Sequence, residues 1–347
     1  MRETKTLIKR AIAAVLAAAL LFSAVGGRTD SGAIEQREAP PSGAIEQSGS
    51  LDNEIARLKA LVFPENSGLY VVPKPEQLTA FRALAASVMN GSYETAATEA
   101  EALGYELVAF YDTDTSRQYY LLRERLNAQG KQSLGWGNYI WNPAEQNDVL
   151  VEAPHPLFDP NTPELAMDVF QGLSARGYLM AGAHRSQDGS IYGIANVAGQ
   201  RNSIFEIFHE TWSRATTLPI QIHGFDILKH PDFPPGADVV ISNGDGKMWQ
   251  VHEDLNRAFK DAGLQSYVFN TFTADSAENK RVNDSVPGGT FVSLSAGYNV
   301  QGQYTRNTYH MPFVHCETAR SIRVDDPEHL WKPTVDATVK TLEKPNN

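Results

Sequence analysis

The chain has 347 residues, 42% of them hydrophobic, with 41 acidic against 30 basic side chains and a formal charge of −11. That length allows one large or two small domains, and the acidic balance excludes a surface built for nucleic acid or anionic lipid. A single cysteine, Cys316, excludes an internal disulfide and reads as a small buried hydrophobe.

The first 27 residues have the order of a secretory signal: basic Arg2, Lys5, Lys9 and Arg10, apolar Ala11 to Phe22, then small residues to Gly27. The apolar part is too short for a spanning helix. The reading predicts cleavage near Gly26 or Gly27, a secreted or periplasmic (cell-envelope) protein, and no stable membrane insertion afterwards. Losing this segment removes four basic residues and one acidic one, so the charge moves from −11 to −14. Residues 28–50 repeat the hexapeptide SGAIEQ at 31–36 and 42–47 among Gly, Ser and Pro, which predicts a disordered linker.

Residues 51–145 predict a small α+β subdomain without recognisable chemistry. Helices are expected over 51–62, 75–89 and 93–103, the last closed by Gly104. A hairpin follows, with strands at 105–111 and 118–123, and then a short strand at 139–141.

Residues 146–347 carry the chemistry. Asp148–Ala153 reads as a buried strand that stops at Pro154-His155-Pro156. Thr162-Pro163-Glu164 starts a helix with Leu165, Val169, Phe170 and Leu173 inward. The next strand, Tyr178–Ala183, ends at His184-Arg185, where Arg185 could hold a substrate carboxylate. Asn202-Ser203 opens another helix, in which His209 reads as a packed or surface residue. The strand Ile220–Ile222 delivers His223; a strand over 237–242 ends in a structural Gly-rich turn; a helix spans 251–261. A strand over 267–272, a polar loop over 273–289, and a closing helix over 327–342 complete the order. Phe313 to Glu317 reads as a strand whose alternation puts Phe313, His315 and Glu317 on one face.

Alternating strands and helices predict an α/β fold: a three-layer mixed sheet of about six strands with helices on both faces. Ligands in such sheets sit at the carboxyl ends of the strands. His155 and His223 stand at two strand ends and Glu164 at a helix start, a His-His-carboxylate set suited to catalytic Zn²⁺. Asp159 rivals Glu164 as the carboxylate ligand. Glu317 is placed to act as general base.

The order His155, Glu164, His223, Glu317, with Gln221-Ile222-His223 and Val314-His315-Cys316-Glu317, resembles the zinc N-acetylmuramoyl-L-alanine amidases. Ala153-Pro154-His155, and the late His315-Cys316-Glu317 with the arginines that follow it up to Arg323, resemble N-formylglutamate amidohydrolases and zinc carboxypeptidase-like hydrolases. The resemblance implies a phosphorylase/hydrolase-like fold and hydrolysis of an amide bond in a peptidoglycan-type, γ-glutamyl or N-acyl amino acid substrate. Arg185, His184 and Arg323 are the expected substrate-binding residues. The alternative is a non-catalytic envelope protein that binds a wall glycopeptide. A serine hydrolase is disfavoured, because no G-x-S-x-G elbow occurs.

Overall fold

The computed structural model describes residues 40–230, 236–268 and 294–343. The expected signal segment, the linker up to residue 39, residues 269–272 of one expected strand and the loop at 273–289 lie outside the described residues.

Strand β1 (Ile45–Gly49) and helix α1 (Leu51–Lys59) lead into α2 (Pro75–Met89), α3 (Tyr93–Ala102), β2 (Tyr105–Asp112), β3 (Arg117–Glu124) and β4 (Asn138–Trp141). Then come β5 (Asn147–Ala153), α4 (Thr162–Leu173), β6 (Ala175–Met180), α5 (Ile204–Trp212), β7 (Leu218–Phe225) and β8 (Val239–Ser242). The last elements are α6 (Gln250–Asp261), β9 (Ser266–Val268), α7 (Val300–Tyr304), β10 (Val314–Ala319) and α8 (Pro327–Leu342).

The fold is α/β, with ten strands among the described residues forming one mixed sheet in the order β1-β2-β3-β4-β6-β5-β7-β10-β8-β9. This is larger than the six strands expected, because the strands of 51–145 join the same sheet as those of 146–347: β4 pairs antiparallel with β6. Residues 45–49, expected within the disordered linker, are instead an edge strand. Parallel pairing with β2, from Ile45 opposite Val108 to Gly49 opposite Asp112, satisfies their backbone. The Asp112 carboxylate then accepts from the Leu51 amide at 2.9 Å and anchors the following helix.

Helices cover both faces. Period-two alternation sends Val149, Val151, Ile220, Ile222, Val314 and Cys316 into one core, under α1, α4, α6 and α8. The other core holds Phe81, Tyr105, Tyr139, Phe208 and Trp212 under α2, α3 and α5. Cys316 is buried, and burial followed by the nearby Glu317 charge pushes its thiol up to about 12, so it is inert.

β6, β5, β7 and β10 run parallel side by side, so their carboxyl ends share one edge. The loop leaving β6 is held there by backbone contacts: Phe63 donates to the Gly182 carbonyl at 3.0 Å, and His184 donates to the Phe63 carbonyl at 2.8 Å. A Cβ on Gly182 would lie 2.4 Å from the Gly137 nitrogen, so only glycine permits this approach.

Phe81 joins α2 to the sheet through edge-on contacts with Tyr105, Trp136 and Phe208. Phe81→Ala is expected to cost about 3–5 kcal/mol in urea-unfolding free energy. A loss below about 1 kcal/mol would contradict this packing role.

Candidate metal centre

Five titratable side chains meet at the shared strand edge. His155, Asp159, His223, His315 and Glu317 are each no more than 5% exposed, so any charge among them needs a partner within the protein.

A tight turn produces the first pair. After Pro154 ends β5, the Asp159 amide donates to the His155 carbonyl at 3.0 Å, and the Thr162 hydroxyl donates to the Asp159 carbonyl at 2.8 Å. One helical turn separates the two residues, so their side chains meet: Asp159 Oδ2 lies 3.2 Å from His155 Nδ1. β7 supplies the third group, with His223 Nδ1 3.6 Å from the same oxygen.

The outer contacts of both histidines show that hydrogen sits on Nε2. His155 Nε2 lies 2.9 Å from Asn196 Oδ1, and the Asn196 amide nitrogen is committed to the Ile191 carbonyl at 2.9 Å. His223 Nε2 lies 2.7 Å from Gln221 Oε1, and the Gln221 amide nitrogen is committed to Glu152 at 2.9 Å. Both amide oxygens therefore only accept, and both Nε2 atoms carry hydrogen. Burial, only partly offset by Asp159, holds His223 down to about 4, so it is neutral at pH 7. Its Nδ1 lone pair then faces the Asp159 carboxylate. Burial raises that carboxyl; hydrogen bonds and charge from the His155 and His223 rings, supplied only while hydrogen is on Nδ1, outweigh it and keep it well below the usual range, a role a bound cation would take over. Two imidazole nitrogens and an ionised oxygen thus converge. Tetrahedral zinc ligands at about 2.0–2.1 Å lie about 3.3 Å from one another, close to the 3.2 and 3.6 Å found here. The donor set fits a divalent cation, and these three residues make one of two groups able to hold one among the described residues.

The second group is His223, His315 and Glu317. His315 Nδ1 lies 3.2 Å from the Ser242 hydroxyl, which donates onward to the Ser295 carbonyl at 3.1 Å. His315 Nδ1 is therefore the donor, and Nε2 faces Glu317 Oε1 at 3.4 Å. Burial, then His223 and His155, hold His315 well below its ordinary value. Burial, then Asp159, push Glu317 well above the carboxylate range, with Arg323 and Arg185 partly offsetting them. Glu317 Oε2 is buried without a hydrogen-bond partner. This is an atom with room to take or give a proton.

Other expected residues fall elsewhere. Glu164, expected as a ligand, is not in the cluster; it pairs with Lys59 of α1 at 2.6 Å and its side chain is 33% exposed. The first turn of α4 aims it at α1, whereas Asp159 reaches the histidines directly. The helix also begins with Asn161 in the left-handed region at its cap, one residue before the expected Thr162. Arg323, expected to bind substrate, is buried, and its guanidinium donates to the carbonyls of Thr318, Pro160 and Phe225. It ties the loop before α4 to the ends of β7 and β10. Arg185 does approach the site: its Nε and Nη2 donate to the Ile191 carbonyl at 3.2 and 3.0 Å, and it lies 5.0 Å over the Phe158 ring. Burial lowers its pKa, against the pull of Asp159 and Glu317. His184 accepts from the Ser186 amide at 3.1 Å, and its ring meets Phe158 edge-on. Phe158, Ile191, Tyr192 and Ile194 are exposed.

Sequence reasoning missed Asn196 and Gln221, which orient the histidines, and gave His315 no role. Gln221 had a signal: it precedes His223 by two residues and so shares its face of the strand. Asn196 had none, because it arrives from a loop.

The chain matches no protein-family model and no curated protein. Among solved structures it is similar to N-formylglutamate amidohydrolase from Ralstonia eutropha, at 12% identity and a TM-score of 0.40, over 60% of this chain and 97% of that one. It is also similar to a metallo-carboxypeptidase from Pseudomonas aeruginosa, at 15% identity and a TM-score of 0.31, over 72% of this chain and 66% of that one. A metallo-carboxypeptidase from Burkholderia cenocepacia gives 11% identity and a TM-score of 0.31, over 74% and 66%. These likenesses are loose in both sequence and superposition.

The geometry makes a direct test of the ligands. After dialysis against trace zinc, His155→Ala, Asp159→Ala and His223→Ala are expected to lose the metal, while Glu164→Gln keeps about one zinc per chain. Elemental analysis reads the outcome; zinc lost from Glu164→Gln but kept by Asp159→Ala would reverse the assignment.

Proposed function

We propose that the protein is an exported, zinc-dependent hydrolase of an amide bond, with the cation held by His155, Asp159 and His223. The observation that carries this reading is the convergence of two imidazole Nδ1 atoms on a buried carboxylate oxygen, each imidazole pinned from behind by an amide oxygen. The amide bond is supported by the sequence order of His155, His223 and Glu317, and export by the segment 1–27.

A divalent cation bound there supplies Lewis acidity to a carbonyl oxygen and to water. The chain's own groups do the rest. With a cation bound, whose charge opposes the burial and the Asp159 repulsion that raise its pKa, Glu317 would accept a proton from the attacking water at Oε2 and deliver it to the leaving amine nitrogen. His315 Nε2 lies 3.4 Å from Oε1, a contact that is attractive only while a proton lies between the two atoms. Arg185 offers a positive charge at the entrance, suited to a substrate carboxylate. The exposed Phe158, Ile191, Tyr192 and Ile194 offer apolar contact to the rest of the substrate. Peptides, peptidoglycan stem peptides and N-acyl amino acids all combine a carboxylate with an amide.

The test is release of free amine from N-acyl amino acids, short peptides and peptidoglycan by zinc-loaded protein. Glu317→Gln is expected to keep its zinc and lose about 10²- to 10⁴-fold in turnover, the usual worth of acid–base catalysis. Arg185→Met is expected to raise KM for substrates with a free carboxylate and to leave amidated analogues unchanged. Turnover near wild type in Glu317→Gln would remove Glu317 from the reaction.

A further inference from the structure

Behind His223 the sheet carries a row of polar side chains on a face that is otherwise apolar. Register sets Glu152 of β5 beside Gln221 of β7, and Gln221 beside His315 of β10. All lie on the face opposite Val151, Ile220 and Val314, and α5 and α7 close over them. Glu152, His209, Glu206, Gln221 and Gln301 are each 0% exposed, a concentration of buried polar groups that is costly unless hydrogen-bonded, and among their side-chain atoms Glu206 Oε1 alone has no partner.

The bonds form one directed chain. Thr305 spends its hydroxyl hydrogen on the Gln301 carbonyl at 3.0 Å, so it must accept from His209 Nε2 at 3.1 Å. His209 Nδ1 lies 2.6 Å from Glu152 Oε1. The other Glu152 oxygen accepts from the Gln221 amide nitrogen at 2.9 Å. Gln301 Oε1 accepts from the same nitrogen at 3.3 Å, and the Gln301 amide nitrogen is committed to Glu206 at 2.7 Å and to the Val197 carbonyl at 3.1 Å. Gln221 Oε1, with no other orientation open to it, accepts from Asn299 and from His223 Nε2. Turning the Gln221 amide over would set its NH₂ against the His223 N–H and its oxygen against the Glu152 carboxylate. Both contacts would be repulsive in a dry interior.

We propose that the buried Glu152–His209 pair, acting through the Gln221 amide, is a positioning device that sets which nitrogen of His223 is offered to the cation. The proposal rests on the metal-hydrolase reading for its purpose, but its physical content is the tautomer of His223. None of these three residues touches the metal position. His209 fixes the carboxylate of Glu152, Glu152 fixes the amide of Gln221, and Gln221 holds hydrogen on Nε2 so that the Nδ1 lone pair faces Asp159. Burial disfavours charge on His209, but Glu152 outweighs it and raises its pKa, and the 2.6 Å contact holds the carboxylate in one orientation. Partners of this kind behind a metal ligand govern its affinity about 10- to 100-fold.

The experiment reads the imidazole nitrogens of His223 by NMR in metal-free protein at neutral pH, alongside zinc affinity by chelator competition. Wild type is expected to show hydrogen on Nε2. Gln221→Met, which keeps length without a polar group, is expected to populate both tautomers and to bind zinc about 10- to 100-fold more weakly. Glu152→Leu should behave like it, whereas Glu152→Gln keeps an acceptor for Gln221 and should restore near-wild-type affinity. Hydrogen on Nδ1 in wild type would overturn the proposal even if no variant folds. So would an unchanged tautomer and affinity in Gln221→Met. If wild type and His223→Ala both fail to bind zinc, the metal reading falls, and the tautomer measurement still decides the role of Gln221.

Discussion

Two imidazole nitrogens and a carboxylate oxygen cannot share a dry space without positive charge between them. Much of the architecture serves to bring these three atoms together and keep water out. β5 and β7 are parallel neighbours, so the ends that carry His155 and His223 emerge side by side. The Pro154 stop and the turn through Asp159 fold the carboxylate back under both rings. β10 lies against β7 with Glu317 opposite His223, which places its carboxyl beside the same cluster.

Such a centre requires polar groups on a sheet face that folding would otherwise make apolar. The chain meets that requirement by alternation. Along β5, β7 and β10 one face is Val and Ile, with Cys316, and the other carries Glu152, Gln221, His223, His315 and Glu317. The cost of burying the second set is offset by mutual hydrogen bonds and by α5 and α7, which contribute His209, Glu206 and Gln301. Arg323 does similar work at the rim, joining three backbone carbonyls while opposing the Glu317 charge.

What could be read from the sequence follows the range of its physics. Alternation within β5, β7 and β10 is local, so the strands, their inward faces and the grouping of His155, His223 and Glu317 were legible. The layered α/β class followed from alternating periodicity. The size of the sheet was not legible, because pairing between β4 and β6 and between β1 and β2 is long-range and leaves no mark in either strand alone. That the structure brings Asp159 rather than Glu164 to the histidines was not legible, for a related reason. Both carboxylates follow His155 closely, and only the turn at 155–159 decides that Asp159 faces inward while Glu164 meets Lys59. Asn196 comes from an irregular loop and had no periodic signal at all.

On the reading proposed above, one cation sits among His155 Nδ1, His223 Nδ1 and Asp159 Oδ2. Anomalous diffraction at the zinc edge from crystals grown with the metal tests it most directly. A single strong peak is expected, bonded to both Nδ1 atoms and to Asp159, with Glu164 still on Lys59. A zinc peak bonded to either Nε2 atom or to Glu164, or zinc-soaked crystals with no peak among these residues, would contradict it.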